Sequence, residues 1–150
     1  MDAIAILERD HKALKKHFRE FEKASTPRTQ QQAAKEAFQE LEAHADVEEE
    51  IFYPAFKSAA RNEEDQEMVS EAVQEHHVAR TLIEEMRALS PEDEQFSAKF
   101  TVLMESVEHH IEEEEREIFP RARKALGKQL EELEEPIARR KKALTAASAP

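Results

Sequence analysis

Residues 44–54, HADVEEEIFYP, decide the fold because they recur in altered form as residues 110–120, HIEEEEREIFP. The histidine, the fifth-position glutamate and the final proline of the segment each recur 66 positions later, and His11 recurs as His76, 65 positions later. Two glutamate-rich helices can resemble each other by chance, but a shared spacing of three residue types argues against chance. The sequence therefore predicts a duplicated αα-hairpin with the same polar residues in each copy.

The composition of the chain favours long helices. The 150 residues include one glycine and 6% aromatic residues, and strong helix formers dominate. We expect an all-α, up-down-up-down four-helix bundle over residues 1–126, a short fifth helix packed on or beside it over 127–144, and a disordered tail over 145–150. The four long helices are predicted to span about 2–24, 27–60, 62–89 and 91–126.

Capping signals mark the predicted helix boundaries. Thr26 before a proline and Asn62 before a run of acids are typical of N-caps, because a side-chain oxygen can accept a free N–H of the first turn. Ser90 before a proline predicts the start of the fourth helix. Gly127 predicts its end. The basic run 139–142 is expected to be a solvated helix terminus, which the helix dipole favours, rather than an anion site.

Each long helix carries an apolar seam, spaced for a bundle core, that polar residues interrupt. The seam of the first helix is Ile4, Leu7, His11, Leu14, Phe18 and Phe21, and that of the second is Ala34, Ala37, Leu41, His44, Glu48, Ile51 and Ala55. The seam of the third helix is Val69, Ala72, His76, Ala79, Ile83 and Met86. The seam of the fourth is Phe96, Phe100, Leu103, Val107, His110 and Glu114, with Ile118 beyond. Every seam contains a histidine, and the second and fourth also contain a glutamate one turn later.

Such a polar layer is costly in a plain core. A buried unpaired carboxylate costs several kcal/mol, against a total stability of about 5–15 kcal/mol. No arginine or lysine lies on the seams beside these residues. A multivalent cation would balance the carboxylates and use the imidazole lone pairs, whereas the alternative is a hydrogen-bonded polar core. The predicted metal ligands are His11, His44, Glu48, His76, His110 and Glu114.

The remaining histidines are predicted to lie outside the metal site. Adjacent residues of a helix point about 100° apart, so His77 and His109 should face away from the centre, and His17 lies beside its seam. His109 could instead pair with Glu114, five positions later. Tyr53, the only tyrosine, is either a boundary aromatic residue or a hydrogen-bond donor or occasional ligand at the site.

The donor types narrow the choice of metal. All six are nitrogen or oxygen donors, too many for one structural zinc ion and too rich in histidine for magnesium or calcium. This set in a helical bundle suits iron or manganese, often as a pair. If both glutamates bridge two ions, together with an oxide or hydroxide, about ten of twelve octahedral positions are filled and about two stay open for a small molecule.

At these residues the sequence resembles the hemerythrin-like, or HHE cation-binding, family over about residues 1–125. The resemblance is carried by His11, by the two His-x-x-x-Glu motifs at 44–48 and 110–114, by Glu75-His76 and by the two proline-ended segments. It implies two non-haem iron ions, bridged by oxide or hydroxide, with the four histidines as terminal ligands and Glu48 and Glu114 as bridges.

One position departs from the oxygen-carrying members of that family. Those members place two histidines one turn apart on the third helix, whereas Ala72 and Arg80 lie one turn before and after His76 here. The chain therefore resembles the bacterial subgroup with four histidines and two glutamates, and reversible oxygen carriage is not expected.

We therefore predict a di-iron protein that acts on or senses dioxygen, hydrogen peroxide or nitric oxide. If it is an enzyme, a catalase-like, peroxidase-like or other oxidoreductase activity is expected. The alternatives are a non-enzymatic module that senses or donates iron, and a metal-free helical interaction module. A bulk iron store is not expected, because the site has room for two ions.

The same sequence argues against several other classes of protein. The absence of cysteine rules out disulfides, zinc–thiolate sites and thiol nucleophiles, and one glycine rules out a glycine-rich phosphate loop. A net charge of -12 disfavours binding to nucleic acid. No apolar run suits a membrane span, and Glu8, Arg9 and Asp10 interrupt any signal peptide. A cytoplasmic monomer or dimer is the expectation.

Overall fold

Helices follow one another along the whole described chain with short connections. The computed structural model describes residues 1–148, and within that range it contains helices and no strand. The α-helices are α1 (Ala3–Lys23), α2 (Pro27–Val47), α3 (Tyr53–Ala59), α4 (Glu63–Arg87), α5 (Glu94–Glu113), α6 (Phe119–Leu126), α7 (Gln129–Glu132) and α8 (Glu134–Ser148). A π-helical turn over Glu48–Phe52 joins α2 to α3, and a second one over Glu114–Ile118 joins α5 to α6.

The predicted all-α, up-down-up-down four-helix bundle is confirmed. Its four arms are α1; α2 with the first π-helical turn and α3; α4; and α5 with the second π-helical turn and α6. Over the part of the chain that the structure describes, no helix combines the length and the apolarity that crossing a bilayer requires.

Side-chain caps begin the arms much as the sequence predicts. Thr26 accepts the Thr29 N–H at 3.2 Å, and Asn62 accepts the Asp65 N–H at 2.8 Å. The predicted start of the fourth arm at Ser90 is wrong, because α5 begins at Glu94. Residues 90–93 instead form a turn, which is closed by a hydrogen bond of 3.0 Å from the Asp93 N–H to the Ser90 carbonyl.

Gly127 separates the fourth arm from the C-terminal helices α7 and α8. The N–H of Gly127, which has φ 53°, bonds to the Arg123 carbonyl and ends α6 as expected. The disordered tail that the sequence predicts over residues 145–150 stays a prediction; the structure describes α8 as far as Ser148. Residues 149–150 lie outside the described range.

The basic run 139–142 lies in the middle of α8 rather than at a solvated helix end, so that prediction is wrong. Arg140 pairs with Glu50 at 2.7 Å. The Lys141 ammonium donates to the Asp10 carboxylate, and to Glu40 at 2.8 Å. These ion pairs attach α8 to the first two arms.

The first π-helical turn changes which side chains face the core. The predicted seam continues after Glu48 through Ile51 and Ala55, but these are only partly buried, and Phe52 and Phe56 are fully buried instead. In a π-helical turn the hydrogen bond spans five residues rather than four, as from the Tyr53 N–H to the Glu48 carbonyl. The extra residue moves the buried face by one position.

A proline lies just after each of these π-helical turns. Pro54 and Pro120 occupy the first turns of α3 and α6. A missing N–H costs nothing there, so each arm continues past its proline.

The buried residues form two apolar clusters on either side of the polar layer. One cluster includes Leu7, Phe52 and Phe119, together with residues of α7 and α8. The other includes Leu14, Ile83 and Phe100. The predicted ligands lie between the two clusters, where water has little access.

Candidate metal centre

The structure brings all six predicted ligands together in the interior of the bundle. Their exposed fractions are His11 1%, His44 2%, Glu48 0%, His76 4%, His110 7% and Glu114 0%. They form two overlapping groups, and within each group one ligand-type atom from every residue lies within 4.8 Å of those of the others. One group is His11, His44, Glu48 and Glu114, and the other is Glu48, His76 and His110.

Each glutamate lies between two histidines. The Nε2 atoms of His44 and His76 both lie 3.1 Å from Glu48 Oε1. The Nε2 of His11 lies 2.9 Å from Glu114 Oε1, and that of His110 lies 3.6 Å from Glu114 Oε2. Each glutamate thus contacts a histidine of its own arm and one of another arm.

A carboxylate holds the other ring nitrogen of every one of these histidines. The Nδ1 contacts are His11 with Glu115 at 2.7 Å, His44 with Asp10 at 2.8 Å, His76 with Glu49 at 2.7 Å and His110 with Glu75 at 2.7 Å. A proton on Nδ1 that donates to the carboxylate leaves the Nε2 lone pair free to bind a metal. Metal-binding histidines in proteins are oriented in this way.

The sequence did not predict the supporting role of these four acids, although Glu75 is part of the quoted family motif and each acid is next to a predicted ligand. Asp10 and Glu75 precede His11 and His76, and Glu49 and Glu115 follow Glu48 and Glu114. An acid beside each ligand could have been noticed, but acids are so common in this chain that the signal is weak.

Several atoms of the site have no hydrogen-bond partner within the described chain. They are the Nε2 atoms of His44, His76 and His110, and Glu48 Oε2. Their contacts with neighbouring carboxylates do not have hydrogen-bond geometry. Leaving a buried polar atom unsatisfied costs about 1–3 kcal/mol, so this layer is a poor hydrogen-bonded core. The atoms are suited to coordinate a cation.

Charge interactions shift the pKa values of the site in opposite directions. Burial alone would lower the pKa of His110, but the Glu114 carboxylate raises it to about 10. Burial would raise the pKa of Glu114, yet the His110 imidazole holds it well below its ordinary value. Protons and cations therefore compete for the same nitrogen atoms, and binding of a metal releases protons.

Tyr53 lies inside the site rather than at its boundary. Its hydroxyl donates to Glu114 Oε2 at 2.5 Å and also lies 3.2 Å from Glu48 Oε1. Its ring stacks on His76, with the ring centroids 5.6 Å apart. Burial raises the pKa of Tyr53 well above its ordinary value, and both glutamates raise it further. The group is thus a neutral donor, which the π-helical turn between positions 48 and 53 directs at both carboxylates.

The other histidines lie outside the centre, as predicted. His77 is exposed, and the side chains of His109 and His17 are 69% and 21% exposed. His109 contacts Glu113 at 3.5 Å rather than Glu114. One turn after His76, Arg80 turns outward and donates to Glu49 at 2.8 Å.

A small cavity lies between the histidines and the apolar cluster that includes Leu14. Its polar wall is formed by His44, Glu75, His76, Ser106 and His110, and the remaining lining is apolar, including Leu14 and Val107. Its volume of about 20 Å³ suits one molecule of the size of water.

Comparison with known proteins gives one family and a few relatives. The family model described as "Hemerythrin HHE cation binding domain" matches residues 2–122. A protein of Nostoc sp. named "DNA nickase" is 27% identical over 122 residues, which is 81% of this chain and 34% of that protein. An uncharacterized hemerythrin-like protein of Schizosaccharomyces pombe is 26% identical over 121 residues, which is 81% of this chain and 59% of that protein. The chain thus spans about a third and three-fifths of these relatives.

A solved structure has the same fold. It is the crystal structure of a hemerythrin HHE cation-binding domain-containing protein from Mycobacterium kansasii, a homolog of Rv2633c. The TM-score is 0.83 at 21% identity, with 98% of this chain and 89% of that chain covered. The two proteins therefore share one architecture over almost the full length of this chain.

Proposed function

Because the chain belongs to the hemerythrin HHE cation-binding family, we propose that it binds two non-haem iron ions and acts on, or senses, dioxygen, hydrogen peroxide or nitric oxide. One observation carries this proposal. The four buried histidines each have Nδ1 held by a carboxylate and Nε2 near a fully buried glutamate.

The residues fit such a centre in number and in kind. His11, His44, His76 and His110 would each provide one nitrogen, and Glu48 and Glu114 lie between them where one carboxylate can serve two ions. A mixed nitrogen and oxygen set suits iron or manganese better than zinc or calcium. Bound iron would supply redox chemistry and open coordination positions.

The chain itself contributes position, shielding and a proton donor. The carboxylates on Nδ1 fix the imidazole rings, and their loss in comparable sites costs about 10–100-fold in metal affinity. The two apolar clusters keep water away from the layer. The Tyr53 hydroxyl lies within hydrogen-bond distance of both glutamates, and its one proton can be donated to either of them beside the centre. The cavity beside three of the histidines has room for one molecule of about the size of water.

A second candidate function uses the same site without turnover, to sense or donate iron. The observation in its favour is that the centre joins all four arms through buried charges. Occupancy by iron would therefore be coupled to the stability of the bundle.

Metal analysis and absorption spectroscopy test the proposal. Protein purified from iron-supplemented cells should contain about two iron atoms per chain, since the six donors suit a pair of ions. Glu48→Ala and Glu114→Ala should strongly reduce iron retention, whereas His77→Ala, which removes an exposed neighbour of His76, should not. Loss of iron from His77→Ala with retention in Glu48→Ala would refute the assignment.

Small-molecule reactivity separates the two candidate functions. Addition of peroxide, dioxygen or nitric oxide to the reduced, iron-loaded protein should change its absorption spectrum. Tyr53→Phe keeps the ring on His76 and removes only the hydroxyl, so it should retain iron but alter the rate of that change. An unchanged spectrum with all three molecules would favour iron sensing or donation.

A further inference from the structure

A depression lined with acidic residues reaches the metal centre from the surface between α4 and α5. Its walls are formed by Glu71 and Glu75 of α4, Glu113 of α5 and Glu117 of the second π-helical turn, and Met68, Ile118 and His110 complete them. We name this depression the acidic vestibule. Its volume is about 60 Å³, enough for a partly hydrated ion.

The vestibule ends at a candidate ligand. His110 is the most exposed of the six, at 7%, and its buried Nε2 has no hydrogen-bond partner within the described chain. His110 and Glu75 line both the vestibule and the small cavity beside the histidines. The hydrogen bond between His110 Nδ1 and Glu75 Oε1, 2.7 Å long, therefore separates the vestibule from the cavity beside the histidines.

Positive charge near the vestibule is limited. His109 contacts Glu113 at 3.5 Å, and Arg121 reaches Glu117 only at 3.9 Å. The Arg121 guanidinium is closer to Asp65, at 2.8 Å. No ion pair of Glu71 is found among the described residues. The mouth of the vestibule thus concentrates cations and repels anions.

We propose that the acidic vestibule is the path by which divalent metal ions reach the centre. This inference rests on the proposed function. Glu71, Glu113 and Glu117 raise the local concentration of the ion, and His110 is the first candidate ligand that it meets when the Glu75–His110 pair opens. The four carboxylates make the same path unsuitable for an anionic molecule.

Metal-uptake kinetics test this proposal. Metal-depleted protein is mixed anaerobically with Fe²⁺, and separately with Co²⁺, at low ionic strength, and absorption is followed by stopped flow. The triple variant Glu71→Gln, Glu113→Gln, Glu117→Gln should take up metal roughly tenfold more slowly, with the final metal content unchanged. The difference should shrink as salt is added, because screening shortens the range of the field.

The matched control removes the same charge elsewhere. Glu22, Glu94 and Glu131 are exposed glutamates outside the vestibule, with no ion pair among the described contacts, and their triple glutamine variant should match the wild type. Equal uptake rates in the wild type and both triple variants, or equal slowing in both variants, would overturn the proposal that metal enters through the vestibule. Wild-type protein that takes up no metal would instead refute the proposed function. If the triple variant does not fold, Glu71→Gln alone should still show slower uptake, and a wild-type rate would count against the proposal.

Discussion

The carboxylates that hold the histidines offer a sharp test of the site, and Glu49 is the most informative of them. Its Oε2 accepts from His76 Nδ1 at 2.7 Å and from Arg80 at 2.8 Å. Glu49→Gln keeps the size of the side chain and removes its charge. The glutamine amide can also turn its NH₂ group toward Nδ1, which would force the proton onto Nε2 and block metal binding there.

The expected magnitude follows from this contact. Loss of such a supporting group lowers metal affinity by about 10–100-fold, which is about 1.4–2.7 kcal/mol of binding free energy. With metal in excess, the stabilisation of the fold by the metal falls by the same amount. For a domain of this size the metal-induced rise in melting temperature should shrink by roughly 3–11 °C.

Differential scanning calorimetry with and without Fe²⁺ or Co²⁺ measures that shift directly. The matched control is Glu50→Gln, the next residue, whose exposed carboxylate pairs with Arg140 instead of a histidine. The control should lose some stability in both conditions but keep the full metal-induced shift. A full shift in Glu49→Gln, or an equal loss in both variants, would refute the reasoning.

Three further predictions concern the fold. Phe100→Ala should cost about 3–5 kcal/mol in urea unfolding, because the side chain is fully buried. Lys141→Met should cost about 2 kcal/mol by removing a donor to Asp10, whereas exposed Lys142→Met should be near neutral. Partial burial raises the pKa of the Asp2 carboxyl, but the Ala5 N–H and Arg123 lower it below its ordinary value overall. Its charge therefore stabilises the fold above about pH 4. The difference in unfolding free energy between wild type and Asp2→Asn should vanish as the pH falls below that value.

The sequence carried enough information to predict the bundle and the composition of the polar layer. Buried histidine and glutamate on an apolar seam stand out because they oppose the pattern that surrounds them, as at His44 and Glu48. Caps such as Thr26 and Asn62 are local interactions, so they too can be predicted from neighbouring residues.

The parts that were missed depend on contacts between distant residues or on a small change of helical period. A π-helical turn has no residue signature as clear as a cap, so the shift from Ile51 to Phe52 on the buried face could not be read from an α-helical period. Lys141 reaches Asp10 across 131 positions of sequence. Only the docking of α8 on the bundle brings those two charges together.

The duplication explains why the support of the site is so regular. Asp10 and Glu75 hold the histidines of α2 and α5, and Glu49 and Glu115 hold those of α4 and α1. Each acid thus has a counterpart in the other hairpin that makes the equivalent contact. Because both hairpins keep these acid–histidine pairs, each of the four imidazoles is oriented without a further residue.

One pair of counterparts breaks this regularity. Tyr53 stacks on His76, and Phe119, 66 positions later, stacks on His11 at the same 5.6 Å. Both rings pack in equivalent places, but only one carries a hydroxyl. That hydroxyl contacts both glutamates, so a second one at position 119 would compete for the same carboxylates within a fully buried layer. An unsatisfied buried hydroxyl is costly, and phenylalanine avoids that cost while it keeps the ring that supports His11.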